Sequence, residues 1–519
     1  MLDPGASYAL DPRRVRGLLG GVAAATSGET FRTTAPFTGQ PLAEVPVSTA
    51  ADVAAVCDRG RRAQRAWAET EVRHRARVLL ALHDLVLDRQ AEIMDLIQAE
   101  SGKARKHAFE EVAHVAMTAR YYGLTAQRHL RGAPRLGAFP GLTQVRVNRA
   151  PKGVVGIISP WNYPFTMALS DGLPALVSGN AVVSKPDTLT MLTALSGAEL
   201  LREAGLPDDL WQVVSGPGPV VGTALIDAAD YLCFTGSTTT GRAVGAQAAR
   251  RLVGCSLELG GKNPMLVLRD AAIGRAAEGA VRACFSSAGQ MCVSTERMYV
   301  ADDIYDAFVA AFLQRIESMR LAADRSFETD MGCMVSAAQL AKVTAHVDEA
   351  VAKGARVLIG GRPRPGIGPL FFEPTVLEGV RPGMSIFADE SFGPVVSLYR
   401  FTTEADAVAR ANESGYGLNA SIYTRDVSRG RRLATQIRCG TVNINEGYVP
   451  SFASIDSPMG GMRESGLGRR QGPEGIHRYT DLQAVASSRV RVAPVGLSDE
   501  AYARLFTRSL RLLKRVRRP

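Results

Sequence analysis

From residue 154 onward, short apolar runs alternate with longer stretches whose apolar residues recur at helical spacing. Residues 154–159 (VVGIIS) form one such run, as in a strand buried on both faces. Residues 180–184 (NAVVS), 212–215 and 231–235 (YLCFT) repeat it, and residues 255–259 and 264–268 add further strands. Residues 169–179, 189–204, 222–228 and 240–249 carry the helical pattern between them. This alternation predicts a doubly wound, mainly parallel sheet.

The second half repeats the texture and predicts a second α/β unit. Strands are expected at 296–300, 356–359, 375–377, 395–399 and 420–423. Helices are expected at 272–286, 304–319, 337–353, 405–413 and 427–437, with 353–374 as a Gly/Pro-rich surface excursion. The first 130 residues read as mostly helix: 50–68, one long helix over 73–101, and 110–129. Val78, Leu79, Leu82, Leu85, Val86 and Ile93 fall on one side of the long helix. Residues 34–48 read as short strands around turns, and 143–147 (TQVRV) alternate as an exposed strand does.

A chain of 519 residues predicts two or more domains. Its seven cysteines are dispersed and form no CxxC pair, which excludes a zinc ribbon or a thioredoxin motif. Such thiols fit a reducing compartment, and a cytoplasmic location is expected. The formal net charge of +10 raises the question of nucleic acid. However, seven of the basic residues follow Glu500 and no acid does, so the excess belongs to a tail rather than a groove. No nucleic-acid partner is expected. No apolar run approaches the roughly 20 residues of a membrane span. Arg13-Arg14 before LLGGVAAA imitates a twin-arginine signal weakly, and a first surface helix is the favoured reading.

Candidate chemistry centres on Cys292, which follows a run of small residues, Ser286 to Gly289. Small residues let backbone approach a ligand closely. A nucleophilic thiol needs a proton-moving partner, and Glu258 in LELGGKNP is the candidate. The amide of Asn162, beside Trp161, can donate to a developing oxyanion. Cysteine, carboxylate and amide point to chemistry at a carbonyl carbon. Two glycine patterns are decoys. GSTTTGR at 236–242 lacks the lysine of a P-loop, and GPGPVVG at 216–222 misses dinucleotide spacing by one residue. Gly236-Ser237 nonetheless sits where a buried strand meets a helix start, a place that binds pyrophosphate or is simply a cap. No HExxH or paired histidines occur, so no metal is expected, and the absence of GxSxG argues against a serine hydrolase.

Seven stretches in this order carry a specific resemblance: SPWNYP (159–164), VVSKPD (182–187), FTGSTTTG (234–241), LELGGKNP (257–264), AGQMC (288–292), ESFGPVV (390–396) and PMGGMRESGLGR (458–469). From about residue 34 to about 490 the chain resembles the aldehyde dehydrogenase superfamily, and within it the actinobacterial NADP-dependent succinate-semialdehyde enzymes. The resemblance implies a Rossmann-like cofactor domain (1–130 and 150–261), an α/β catalytic domain (262–455) and a small β oligomerisation element (131–149 and 456–495). Residues 496–519 remain as a basic amphipathic tail. It implies Cys292 as nucleophile, Glu258 as general base, and Asn162 with the Cys292 N–H as the oxyanion hole. It implies Lys185 on the adenosine ribose, with Asp187 in the same cofactor-binding turn. It further implies Gly236 and Ser237 on the pyrophosphate, and Glu390 with Phe392 at the nicotinamide ribose. Trp161, Pro186 and Leu259 would line the cofactor channel. A homodimer or homotetramer is implied, joined through an intersubunit sheet of 143–147 and 483–492.

The sequence departs from the pattern in two places. Many NAD-preferring relatives carry Glu three residues after the ribose lysine, where this chain has Thr188. Losing that carboxylate favours NADP, with NAD still accepted. The arginines that clamp the substrate carboxylate in well-studied succinate-semialdehyde enzymes are replaced by Ser170 and Ser286. Succinate semialdehyde is thus a default substrate, and a less acidic aldehyde is the alternative. Ser294 stands where some relatives carry a redox-switch cysteine. A cofactor-free thiol hydrolase and a non-catalytic member of the fold are the readings from other classes. In the tail, Tyr502, Leu505, Phe506, Ser509, Leu513 and Val516 share one helical face and Arg504, Arg508, Arg511, Arg515 and Arg518 another. Docking on a neighbouring subunit is favoured, and weak contact with an anionic membrane surface is the alternative.

Overall fold

The structure is a computed structural model and describes residues 10–137, 143–489 and 496–514. A six-stranded sheet runs in the order Gly466–Leu467, Gly254–Glu258, Tyr231–Thr235, Val154–Ser159, Ala181–Pro186, Trp211–Val213. Every neighbouring pair is parallel except the first. The chain lays strands outward from Val154–Ser159 in one direction, then restarts on its other side with Tyr231–Thr235. Ligands of doubly wound sheets bind beyond the carboxyl ends of the strands at such a reversal. Trp161-Asn162 and Gly236-Ser237 directly follow the two strands that flank it.

A seven-stranded sheet lies within residues 263–444. Its order is Arg356–Ile359, Thr375–Glu378, Val395–Phe401, Thr295–Ala301, Asn263–Val267, Asn419–Tyr423, Thr441–Ile444. Only the first pair is antiparallel. Met265 and Val267 enter one core while Leu266 and Leu268 enter the core on the opposite face. Because side chains alternate along a strand, burial on both faces demands an apolar residue at every step. Thr295–Ala301 is also wholly buried although it contains Glu296 and Arg297. Both are compensated: Glu296 takes the Lys262 ammonium at 2.5 Å, and Arg297 donates to the carbonyls of Lys262, Arg410 and Ala411.

A third sheet is antiparallel and joins Thr480–Ser488, Thr143–Pro151 and Ala133–Arg135. Thr480–Ser488 is its edge and is exposed from Asp481 onward. The expected intersubunit segment ends at 492, and its last three residues lie outside the described residues.

The long helix expected over 73–101 is two helices, Val72–Asp88 and Gln90–Ser101. Apolar spacing continues across Arg89, so tertiary contacts override the local pattern. The second helix turns so that buried Glu100 accepts from the backbone N–H of Leu192 and Thr193, at 2.8 and 2.7 Å. Arg89 secures the joint through Glu92 and Glu203. Helix Pro12–Leu19 is the expected first surface helix. It buries Val15 and Leu18, and its Arg14 joins Glu92 to Glu199. Among the described residues, no helix is long and apolar enough to cross a membrane.

Candidate active site

Cys292 follows helix Ile273–Phe285 across a turn in which Ser287, Ala288 and Gly289 take φ of 51°, 56° and 68°. Left-handed backbone costs a non-glycine residue about 1–2 kcal/mol, so this turn must be held from outside. Ser287 N–H donates to His107 Nδ1 at 3.2 Å and its Oγ to the Tyr163 hydroxyl at 3.1 Å. Gln290 accepts from Val335 N–H and donates to the carbonyls of Ser287 and Cys333. A Cβ at Gly289 would lie 2.1 Å from the Gly393 carbonyl oxygen, so no larger residue fits. These small residues therefore pack against other parts of the chain, and the close backbone approach expected for a ligand is made to protein. The Asn263 amide closes the turn by donating to the Cys292 and Ser294 carbonyls.

The turn sets Cys292 into a cavity of about 230 Å³. Glu258, at the end of strand Gly254–Glu258, lines it with Asn162, Trp161, Gly236, Ser237, Leu259, Glu390 and Phe392. The Asn162 amide donates to the Gln290 carbonyl at 2.9 Å, which uses one of its two hydrogens. The Cys292 wall is apolar, built from Tyr163, Met167, Met291, Val293, Tyr448 and Met459 with Phe452 packed on it. Arg470 also lines the cavity and brings a cation into it.

The cavity is electrostatically tuned. Burial pushes the Cys292 thiol up to about 12, helped by the carboxylates of Glu258 and Glu390. Burial lifts the Glu258 carboxyl to about 7, with Arg470 opposing the rise. A base poised near neutral pH transfers protons well in both directions. Glu258 Oε1 is buried with no hydrogen-bond partner among the described residues, as is Arg470 Nη2.

At the far end, Glu390 accepts from Gly261 N–H at 2.7 Å and is raised to about 7 by burial. A Cβ at Gly260 would lie 2.5 Å from its other oxygen, so only glycine leaves that carboxylate in place. Phe392 holds φ of 55° because its N–H donates to Glu296, and Gln339 binds the carbonyls of Ser391 and Phe392. Its ring meets Trp161 edge-on at 5.5 Å.

Lys185, Pro186, Asp187 and Thr188 do not line this cavity; they continue from the end of the adjacent strand Ala181–Pro186. Lys185 is 5% exposed, and no hydrogen bond from its ammonium is found among the described residues. Asp187 caps the turn Thr188–Thr190 by accepting from Leu189 N–H. Gly236 N–H is taken by the Glu258 carbonyl, and Ser237 caps helix Thr238–Arg250. Ser170 and Ser286 are buried and lie outside the cavity lining.

The aldehyde dehydrogenase family pattern matches residues 22–485. The chain belongs to the aldehyde dehydrogenase family. It is 50% identical over 482 residues to a Mycolicibacterium smegmatis protein provisionally named succinate-semialdehyde dehydrogenase [NADP(+)]. That match covers 92% of this chain and 93% of the relative. The Arabidopsis thaliana mitochondrial succinate-semialdehyde dehydrogenase is 36% identical over 91% of this chain and 89% of its own length. The crystal structure described as an Escherichia coli NADP-dependent enzyme has a TM-score of 0.86 and 34% identity, covering 89% of this chain and 96% of its own. As an aldehyde dehydrogenase, the chain retains a cysteine, a glutamate and an asparagine around one cavity.

Several cavity residues escape a sequence reading. Gln339 and Lys342 lie on helix Ala337–Ala352, where nothing local marks them. Arg470 follows another arginine, Arg469, a setting that suggests surface. Helix Arg105–Leu130 buries a polar stripe, His107, Glu111 and His114, and only their shared helical face hints at it.

Proposed function

We propose that the protein oxidises an aldehyde to the carboxylic acid, with Cys292 as nucleophile, Glu258 as base and Asn162 as oxyanion donor. The meeting of these three side chains in one cavity carries the reading. Cys292 Sγ loses its proton to solvent and adds to the aldehyde carbon. The second hydrogen of the Asn162 amide and the Cys292 N–H take the oxyanion. A nicotinamide cofactor held beside Glu390, Phe392 and Trp161 would supply the hydride acceptor, and loss of the hydride leaves a thioester on Cys292. Glu258 then takes a proton from water as the water attacks the thioester, the C–S bond breaks to return the Cys292 sulfur, and the carboxylic acid leaves. A carboxylate at 258 supports hydrolysis over transfer to coenzyme A.

The residues present fit the cofactor. The Glu390 carboxylate is kept open by Gly260, and Phe392 and Trp161 offer ring edges beside it. Lys185 holds a buried, unbonded cation for the adenosine ribose, and Thr188 leaves room for a 2′-phosphate. We infer NADP as the preferred cofactor, in line with the name of the mycobacterial relative.

Succinate semialdehyde is the default substrate, supported by the names of the two relatives. A second reading, a less acidic aldehyde, is favoured by the apolar Cys292 wall and the absence of Ser170 and Ser286 from it. Rates of cofactor reduction across a panel of acidic, aliphatic and aromatic aldehydes, with NADP and with NAD, decide between them. No cofactor reduction with any aldehyde would overturn the function itself. The exposed edge strand Thr480–Ser488 supports pairing with a second copy of the chain.

A further inference from the structure

Just ahead of helix Arg105–Leu130, Lys103 is 2% exposed. Its ammonium donates to Glu111 Oε1 at 2.6 Å and to the backbone carbonyl of Asn162 at 2.7 Å. It also sits 3.8 Å from the centre of the Tyr163 ring. Glu111 is fully buried, and its other oxygen accepts from the N–H groups of Phe165 and Thr166, at 2.8 and 3.1 Å. Those N–H groups open helix Pro164–Leu169, which begins two residues after Asn162. One ion pair therefore holds the carbonyl of the Asn162–Tyr163 peptide and the helix start just after it.

Stability alone does not explain such a pair. Replacing a buried ion pair with apolar residues of similar volume is often neutral or stabilising. An apolar side chain, however, could not donate to the Asn162 carbonyl. Holding this peptide holds the Asn162 backbone from which the side chain projects, while the bond to the Gln290 carbonyl holds its rotamer, so the two together place the amide. A displacement of about 1 Å at a reacting centre can cost about 100-fold in rate. The same helix also holds the nucleophile turn. His107 Nδ1 accepts from Ser287 N–H, and burial pushes that ring down to about 3, which keeps it a neutral acceptor.

We propose that Lys103 and Glu111 are positioning residues for the oxyanion site, holding the Asn162 backbone so that its amide meets the developing oxyanion. The proposal rests on the reading of Asn162 as oxyanion donor. A double-mutant cycle in the full chain tests it. Lys103→Met is expected to lower kcat about tenfold or more, with aldehyde KM and cofactor Kd within about twofold. In an Asn162→Ala background the same substitution is expected to cost nothing further, because the group it positions is gone. Equal losses in the two backgrounds overturn the proposal, as does a parallel loss of cofactor affinity. If Lys103→Met does not fold, Glu111→Gln enters the same cycle. It keeps an oxygen for Phe165 and Thr166 but loses the charge that holds Lys103. A folded Glu111→Gln with unchanged kcat overturns the proposal too. If Asn162→Ala alone leaves kcat unchanged, the oxyanion reading has failed, and the positioning role falls with it.

Discussion

Glu258 and Arg470 line one cavity, and Glu258 Oε1 and Arg470 Nη2 are both buried with no hydrogen-bond partner among the described residues. Asp171 anchors the guanidinium through Nε at 3.4 Å and also holds Arg478 at 2.7 Å. Burial raises Glu258 to about 7, and the Arg470 charge is the largest influence pulling it back. Only the deprotonated carboxylate can act as base, so steady-state turnover should rise as pH passes about 7 and level off above it. Arg470→Met removes a charge that favours the carboxylate. The midpoint of kcat against pH should move to the alkaline side, with a severalfold loss at neutral pH. An unmoved or acid-shifted midpoint would show that Arg470 does not govern Glu258.

Glu258→Gln separates the two halves of the reaction. Hydride loss needs Cys292 and the oxyanion donors, whereas thioester hydrolysis needs the base. A rapid burst of reduced cofactor should persist, followed by a steady rate lowered by about 10²–10⁴. Rapid mixing with absorbance detection resolves the two phases. Loss of the burst together with the steady rate would reassign Glu258 to the first step.

Much of the site is legible in the sequence because its chemistry is carried by short motifs at strand ends. Glu258 ends a strand, and Cys292, Glu390 and Phe392 lie in the loops just ahead of strands Thr295–Ala301 and Val395–Phe401. The two parallel sheets are legible because burial on both faces leaves an apolar run, as in Val154–Ser159. The break at Arg89 is not, since Glu100 finds its partners on a helix far along the chain. The framework around Asn162 is hidden for a related reason. Periodicity marks apolar faces, whereas helix Arg105–Leu130 also turns His107, Glu111 and His114 inward. Their partners, Phe165, Thr166, Ser287, Ser170 and Gln471, are visible only once the chain is folded.

Thr188→Glu should turn cofactor preference from NADP toward NAD. Thr188 opens the turn that follows Lys185 and Pro186. A carboxylate there can bind ribose hydroxyls and repels a 2′-phosphate. The ratio of kcat/KM for NADP to that for NAD should fall by about tenfold or more, a free-energy difference of about 1.4 kcal/mol. An unchanged ratio would put 2′-phosphate recognition elsewhere.

Pairing through Thr480–Ser488 should depend on the edge beyond Asp481 staying free of charge. Leu482 and Val485 are exposed there, at 64% and 49%. Natural edge strands use lysine to prevent pairing. Leu482→Lys with Val485→Lys should convert an oligomer to monomers in light scattering at micromolar concentration. A monomeric parent chain would remove the premise, and an unaltered oligomer would put the interface elsewhere.

The tail offers the last test. Helix Asp499–Leu513 is capped by Ser498 and buries none of its residues. Leu505, Leu510, Leu512 and Leu513 are exposed, while Arg504, Arg508 and Arg511 occupy another face. Arg515, Val516 and Arg518 belong to the same expected pattern but lie outside the described residues. An apolar stripe of this size needs cover. Docking on a second copy covers it and leaves the arginines in water. Truncation after Leu497 should lower the thermal midpoint and weaken the oligomer, while the Cys292 burst is unchanged. The intact protein should not sediment with anionic vesicles at low salt. The rival reading makes the opposite demand: each basic residue near an anionic surface contributes about 1 kcal/mol, and that attraction is screened by salt. Tail-dependent, salt-sensitive sedimentation, with oligomer stability untouched by truncation, would move the helix from the subunit interface to the membrane surface.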